Sequence, residues 1–126
     1  MRLTTPLARA RGSGSAKDGT HHWWAQRITA VALVPLSVWL VAALIGLVSG
    51  DYETARVAMG NPVNAALWIL FIACAFHHGQ LGLQVVIEDY LHDERSKIAS
   101  IIAVKLLAVL LGTICILAVL RAAIGS

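Results

Sequence analysis

Charged residues are scarce in this chain of 126 residues: they make up 13% of it, whereas hydrophobic residues make up 58%. A soluble domain carries about a quarter of its residues as charges, so this composition excludes an ordinary soluble domain. High hydrophobicity with little charge also excludes intrinsic disorder. The two cysteines, Cys74 and Cys115, both lie in apolar segments, which excludes a disulfide framework and predicts reduced thiols. We therefore expect a single small membrane domain.

The basic residues are concentrated near the start of the chain, where five of the ten Lys and Arg fall within the first 27 positions. A basic excess beside an apolar run is typical of a cytoplasmic flank, so the net charge of +3 predicts no nucleic-acid partner. Residues 1–20 are polar and are interpreted as a flexible leader. They resemble a short organellar transit peptide, but a cytoplasmic tail explains them better.

Three apolar runs predict three transmembrane helices, at about 28–48, 62–87 and 98–124, each long enough to cross a hydrocarbon core of about 30 Å. The polar segment 50–61 is predicted to be a loop. Seven Lys and Arg flank the runs on the side of the leader and second loop, against two on the other side. This asymmetry predicts a cytoplasmic or matrix N-terminus and an external C-terminus.

The predicted fold class is therefore all-α, an integral membrane bundle of three transmembrane helices. Within it we distinguish the leader, residues 1–20, from a membrane anchor domain, residues 21–126. Three helices leave faces without a partner, and polar side chains at membrane depth need companions. A chain of this kind is more plausible as a subunit than as a free-standing machine.

The most informative residue is His78, which lies in the middle of the second span and is expensive there unless it is paired. Asp89 follows 11 residues later, about 16 Å along a helix, so the two bracket the inner half of the membrane. Eleven residues make about three turns, which puts His78, Gly82 and Asp89 on one face. Gly82 leaves room for a flat macrocycle, and neutral imidazole is a common axial ligand of haem iron. The alternative is a hydrogen bond from His78 to a neighbouring helix.

Other roles for the adjacent His77 and His78 are less favourable. Neighbouring positions on a helix point about 100° apart, so the two imidazoles cannot easily share a zinc or copper ion. A proton relay from His78 to Asp89 needs intervening water over about 16 Å. For His77, packing or hydrogen bonding is favoured over metal ligation.

Polar and aromatic residues also mark the entry to the first span. Trp23 and Trp24 are explained as interfacial anchors. Arg27 either extends to the lipid headgroups or forms a bidentate contact with a carboxylate, such as a haem propionate. The sequence leaves both interpretations open.

The second span ends in a cluster of acids that is ordinarily a solvated helix end. Asp89 and Tyr90 in this cluster also suit a quinone, because a phenol donates a hydrogen bond to a carbonyl and a carboxylate or His92 supplies protons. Lys105, about two turns into the third span, is expected to extend to the interface or to pair with an acid.

The spacing of His78, Gly82, Asp89 and Tyr90, with His21 and the segment Arg-Ile-Thr-Ala starting at Arg27, resembles a known family. It is similar to the D-type, cytochrome b-binding hydrophobic membrane anchor subunits of succinate dehydrogenase, respiratory complex II. The stretch HHGQLGLQVVIEDYLHDE carries most of this resemblance, which extends over nearly the whole chain from His21 and includes the three-span layout.

The resemblance implies a subunit of succinate:ubiquinone oxidoreductase, inactive by itself, that serves the tricarboxylic acid cycle and respiratory electron transport. It implies a haem b shared with a second, C-type anchor subunit, with His78 as an axial iron ligand and His77 as the fallback. It places Arg27, and with less support His21, at the haem propionates, with Gly82 at the cofactor.

In the same family, the position of Tyr90 binds the ubiquinone carbonyl, with Asp89 beside it. The flavoprotein and iron–sulfur subunits dock on the cytoplasmic face, and lipid surrounds the helices. The resemblance favours a bacterial inner membrane over a mitochondrial one. Two other hypotheses stay open: a purely structural anchor or assembly subunit without cofactor, and a small proton or ion transporter subunit that uses His78 and Lys105.

Overall fold

Four helices account for most of the chain. The computed structural model describes residues 5–7 and 16–125, without the side chains of residues 16–18. In chain order the helices are α1 (Ala16–Ser49), α2 (Tyr52–Gly60), α3 (Pro62–Tyr90) and α4 (Glu94–Ile124). No strand occurs in the described parts of the chain.

Three of these helices, α1, α3 and α4, are long and apolar enough to cross a membrane. The predicted all-α fold with three membrane spans is thus confirmed. Each helix extends beyond the apolar run that predicted it, because flanking polar residues continue the helical turns into the interface. α1 begins at Ala16, so the last residues assigned to the leader are helical. The rest of the leader falls largely outside the described residues, and its division from the anchor domain stays a prediction.

The predicted loop at 50–61 is wrong in its conformation, because most of it forms α2. Asp51 caps this helix: its carboxylate accepts hydrogen bonds from the Thr54 amide at 2.9 Å and the Thr54 hydroxyl at 2.6 Å. These bonds hold the pKa of Asp51 below its usual value of 3.8. Glu53 in the first turn further favours the helix N-terminus. The polar composition concealed these local helix signals.

Similar caps start the two following helices. The Asn61 side chain accepts a hydrogen bond from the Val63 amide at 2.9 Å, and Pro62 occupies the first turn, where its missing N–H costs nothing. The Asp93 carboxylate accepts one from the Ser96 amide at 2.9 Å, which starts α4 three residues after α3 ends. α3 and α4 are therefore an antiparallel hairpin with a very short link.

The helix α3 is central. It packs against α1 on one side and α4 on the other, whereas α1 and α4 make no close backbone approach to each other within the described chain. α2 packs across the far end, against α4 and α3. The buried apolar core is small, consisting of Leu36, Ala65, Leu81 and Val119. Most of the helix surface is thus left for lipid or partner chains, and both cysteines are free.

Candidate functional site

His78 of α3 is directed at α1, where its Nδ1 lies 3.1 Å from the hydroxyl oxygen of Thr29. Thr29 is buried, and its hydroxyl donates to the Ala25 carbonyl at 2.7 Å. A hydroxyl has one proton, so its oxygen must accept from the imidazole, and we assign the ring proton to Nδ1. The lone pair of Nε2 is then free to bind a metal. A hydrogen bond to the other ring nitrogen is the arrangement that orients metal-bound histidines.

Gly82 lies one turn from His78 and faces Gln26 of α1. A Cβ added at Gly82 would be 3.8 Å from the amide nitrogen of Gln26, so this side chain stands close to the space that the sequence assigned to a macrocycle. The two helices approach here with a polar group between them. Gly82 therefore lies in the same α1–α3 interface as His78.

A polar face of α1 runs along this interface through His22, Gln26 and Thr29, whose spacing of four and three residues places them in one row. Two of its buried atoms, His22 Nε2 and Gln26 Oε1, have no hydrogen-bond partner in the part of the chain that the structure describes. Buried polar atoms normally have partners, so this face is complementary to a polar group or water. Sequence reasoning missed His22 and Gln26, although their helical spacing was a usable signal.

His21 and Arg27 lie on the exposed part of α1 and away from His78. The Arg27 guanidinium is 5.0 Å from the centre of the Trp23 ring, a cation–π contact. Trp23 packs edge-on against Trp24 with 5.0 Å between ring centres. The Trp pair fits an interfacial anchor, and Arg27 presents its charge at the same level. The structure does not bring His21 or Arg27 into contact with the other predicted site residues.

His77 is exposed and lines a groove between α3 and α4, so it faces the opposite side of α3 from His78. The expected divergence of the two side chains is thus observed. Among the residues that the structure describes, no group of three or more His, Cys, Asp or Glu side chains can surround a metal ion. An iron atom at His78 would therefore need its other protein ligand from a different chain.

Asp89 and Tyr90 end α3, and both side chains are exposed. Neither contacts His78, since about 16 Å of helix separates them. A ladder of amides leads toward this end: Gln80 donates to Gln84 at 3.2 Å, and Gln84 donates to Glu88 at 2.9 Å. Sequence reasoning missed Gln84, whose position four residues from each neighbour is the signal for such a ladder.

Comparison with known proteins agrees with this arrangement. Residues 1–112 match the family of succinate dehydrogenase/fumarate reductase transmembrane subunits. A succinate dehydrogenase hydrophobic membrane anchor subunit of Rickettsia bellii is 38% identical over 104 residues, covering 82% of this chain and 83% of its own. The corresponding subunit of Paracoccus denitrificans is 37% identical over 107 residues, covering 82% and 81%.

A succinate dehydrogenase membrane anchor subunit of Reclinomonas americana is 34% identical over 98 residues, covering 74% of this chain and 80% of its own. The matched region includes α1, α3 and the first half of α4, so it contains both helix interfaces of α3. The family resemblance that the residues around His78 and Tyr90 predicted is confirmed. This chain belongs to the family of succinate dehydrogenase/fumarate reductase transmembrane subunits.

Proposed function

We propose that this chain is the hydrophobic membrane anchor of a bacterial inner-membrane succinate:ubiquinone oxidoreductase, with its N-terminus in the cytoplasm. In this proposal His78 provides one axial ligand of a haem b, and a second, C-type anchor subunit provides the other. The flavoprotein and iron–sulfur subunits dock at the cytoplasmic end, where α3 ends at Tyr90. Family membership supports the assembly, and the lysine and arginine asymmetry supports the orientation.

The hydrogen bond between Thr29 and His78 carries the haem part of the proposal. It directs the imidazole, holds its proton on Nδ1 and leaves Nε2 as the metal-binding atom. The orphaned atoms of His22 and Gln26 provide a polar face beside it, suited to a propionate or bound water. Arg27 and His21, exposed at the same end of α1, are the charged candidates for propionate contacts from outside the α1–α3 interface.

The bound haem would supply a one-electron store close to the quinone. The residues of this chain have simpler tasks. The Tyr90 phenol donates a hydrogen bond to a quinone carbonyl and so orients the ring. The Asp89 carboxylate beside it passes protons from water to the reduced quinone oxygen. The exposure of both side chains leaves them accessible to a substrate that arrives from the membrane and to a docked partner.

The haem assignment is tested by replacing each histidine separately in the purified complex. His78→Ala removes the proposed ligand, so the b-type band in the reduced-minus-oxidised spectrum should be lost or shifted. His77→Ala is the matched control, because it removes the adjacent imidazole that faces α4, and it should keep the wild-type band. Loss of the band in the His77 variant with retention in the His78 variant would reverse the assignment.

The quinone assignment is tested by Tyr90→Phe, which removes only the phenolic hydroxyl. We expect ubiquinone reduction by succinate to fall about tenfold or more, since a lost hydrogen bond to a bound group costs about 1–3 kcal/mol. Succinate oxidation by an artificial dye that accepts electrons upstream should stay close to normal. Equal rates with ubiquinone in the variant and wild type would remove Tyr90 from the site.

A cofactor-free structural anchor is the second candidate function, and one observation favours it. The His78 imidazole already has a hydrogen-bond partner in Thr29, which is how a purely structural buried histidine is satisfied. The two functions differ in a property of the unmodified complex. A b-type band in the wild-type spectrum supports the haem-binding subunit, and its absence supports the structural anchor.

A further inference from the structure

A groove of about 460 Å³ runs along the outer surface between α3 and α4. One part of it is polar and is formed by His77, Gln80 and Lys105. The remainder is mostly apolar and reaches Ile116, 11 residues or about 16 Å further along α4. The groove is thus long, shallow and parallel to the helices, with a cation near one end.

This groove is separate from the candidate haem site. His78 is directed at Thr29 of α1, on the other side of α3. The groove contains His77 and residues of α4, a helix that makes no close backbone approach to α1 in the described chain. An occupant of the groove is therefore distinct from a haem or quinone bound at the sites proposed above.

Lys105 is the residue that needs an explanation. It lies seven residues inside the apolar run that begins at Ile98, about 10 Å along the helix. It forms no hydrogen bond or salt bridge with any residue that the structure describes, whereas Lys97, at the start of α4, lies 3.9 Å from Glu94. An ammonium group at membrane depth is costly and is normally paired with an anion or acceptor.

A second copy of this chain cannot supply that anion. All seven acidic residues lie outside the three apolar runs, so none of its spans carries a carboxylate at the depth of Lys105. A lipid headgroup fits the geometry less well, because the groove leads from Lys105 into the hydrocarbon and away from the short α3–α4 link. What remains is a membrane-spanning segment of another protein.

The apolar part of the groove suits a helix. Ala73 of α3 and Ala108 of α4 are small residues along it. Small residues allow close backbone approach, which is how helices associate in membranes. His77 and the Gln80 amide add further hydrogen-bonding groups at the level of Lys105.

We propose that the groove between α3 and α4 receives a transmembrane helix of a different protein chain, whose carboxylate pairs with Lys105. Charge complementarity defines the partner: an aspartate or glutamate inside an otherwise apolar span. The surrounding His77 and Gln80 complete a polar contact in the middle of an apolar interface.

The test places a photoreactive p-benzoylphenylalanine at Val109, which lines the groove, in the complete complex in native membranes. The matched control places it at Leu110, which is exposed on the same helix at nearly the same depth but outside the groove. We expect Val109, and not Leu110, to give an adduct whose mass spectrum identifies a membrane-spanning peptide of another chain with an internal Asp or Glu. An adduct with lipid, with this same chain or with a span lacking an acid overturns the proposal, as does a Val109 yield no higher than that of Leu110.

The charge is tested in the same assay. Lys105→Met keeps a long side chain without the charge, and it should reduce the adduct yield about fivefold or more. Lys105→Arg keeps the charge and should stay within about twofold of wild type, provided that equal amounts of chain are present in the membrane. An unchanged yield in Lys105→Met overturns the carboxylate pairing. Exchange of charges, with Lys105→Glu and the partner acid replaced by Lys, should restore the yield.

Discussion

The two interfaces of α3 differ in chemistry although they belong to the same helix. Toward α1 the contacts are polar: the His78 imidazole meets the Thr29 hydroxyl, and Gly82 faces the Gln26 amide. Toward α4 the closest approach is apolar, because a Cβ at Gly112 would lie 3.6 Å from the Phe76 ring. One interface therefore positions functional groups, and the other brings two helices together by packing.

The difference matters because the membrane removes the hydrophobic driving force between helices, so packing and hydrogen bonds must hold them. At α3–α4 the absence of a side chain at Gly112 provides the packing. At α1–α3 the hydroxyl of Thr29 provides a bond, and His22 and Gln26 retain unused polar atoms. Unused capacity at only one interface indicates where a cofactor or water belongs.

The largest expected effect comes from filling the α3–α4 contact. Gly112→Leu forces extra atoms against the Phe76 ring, and we expect a loss of about 1–3 kcal/mol in the free energy of unfolding. The midpoint of unfolding of the purified complex in sodium dodecyl sulfate measures it. Gly112→Ala is the control, since its Cβ would make an ordinary contact at 3.6 Å. If both variants unfold alike, close packing does not hold this interface.

The next effect concerns the α1–α3 interface and depends on the proposed haem. Thr29→Val keeps the shape but removes the acceptor for His78 Nδ1, and we expect haem to be held about 10–100-fold more weakly. Haem transfer from the purified complex to an acceptor protein, followed by absorbance, measures this. Thr29→Ser retains the hydroxyl and should behave like wild type. Equal retention in the valine and serine variants would show that Thr29 does not orient the ligand.

The smallest effect lies outside both interfaces, at the cap of α2. Hydrogen bonds from Thr54 lower the pKa of Asp51 below 3.8 in the folded protein, so the ionised form stabilises the helix. This contribution is present above pH 3.8 and is lost as the pH falls through the lower, folded value. Hydrogen exchange of the α2 amides should accelerate in that acidic range. Asp51→Asn does not titrate and should remove this pH dependence.

Much of the fold was predictable from local properties of the chain. Length and apolarity of the runs at 28–48, 62–87 and 98–124 were sufficient for three spans, because a membrane imposes nearly the same length on every crossing helix. The helix α2 was missed because its signal is the cap at Asp51, whereas its composition resembles that of a loop. The family was also predictable, from the spacing of His78, Gly82, Asp89 and Tyr90.

The environment of the site was less predictable. Periodicity showed that His77 and His78 point in different directions, but not which neighbour each one meets. Thr29 lies 49 residues from His78 in the chain, so their hydrogen bond depends on how α1 packs against α3. His22 and Gln26 were overlooked for the same reason, since their importance comes from being buried without partners.

Composition and periodicity were enough for the number of spans, their approximate limits and the separation of the two histidines around α3, because these follow from bilayer thickness and helix geometry. The assignment of the Nδ1 proton of His78, the polar face on α1 and the solitary Lys105 in its groove came only from the folded chain. Each of them depends on contacts between residues far apart in sequence, and such contacts exist only once α3 has packed between its two neighbours.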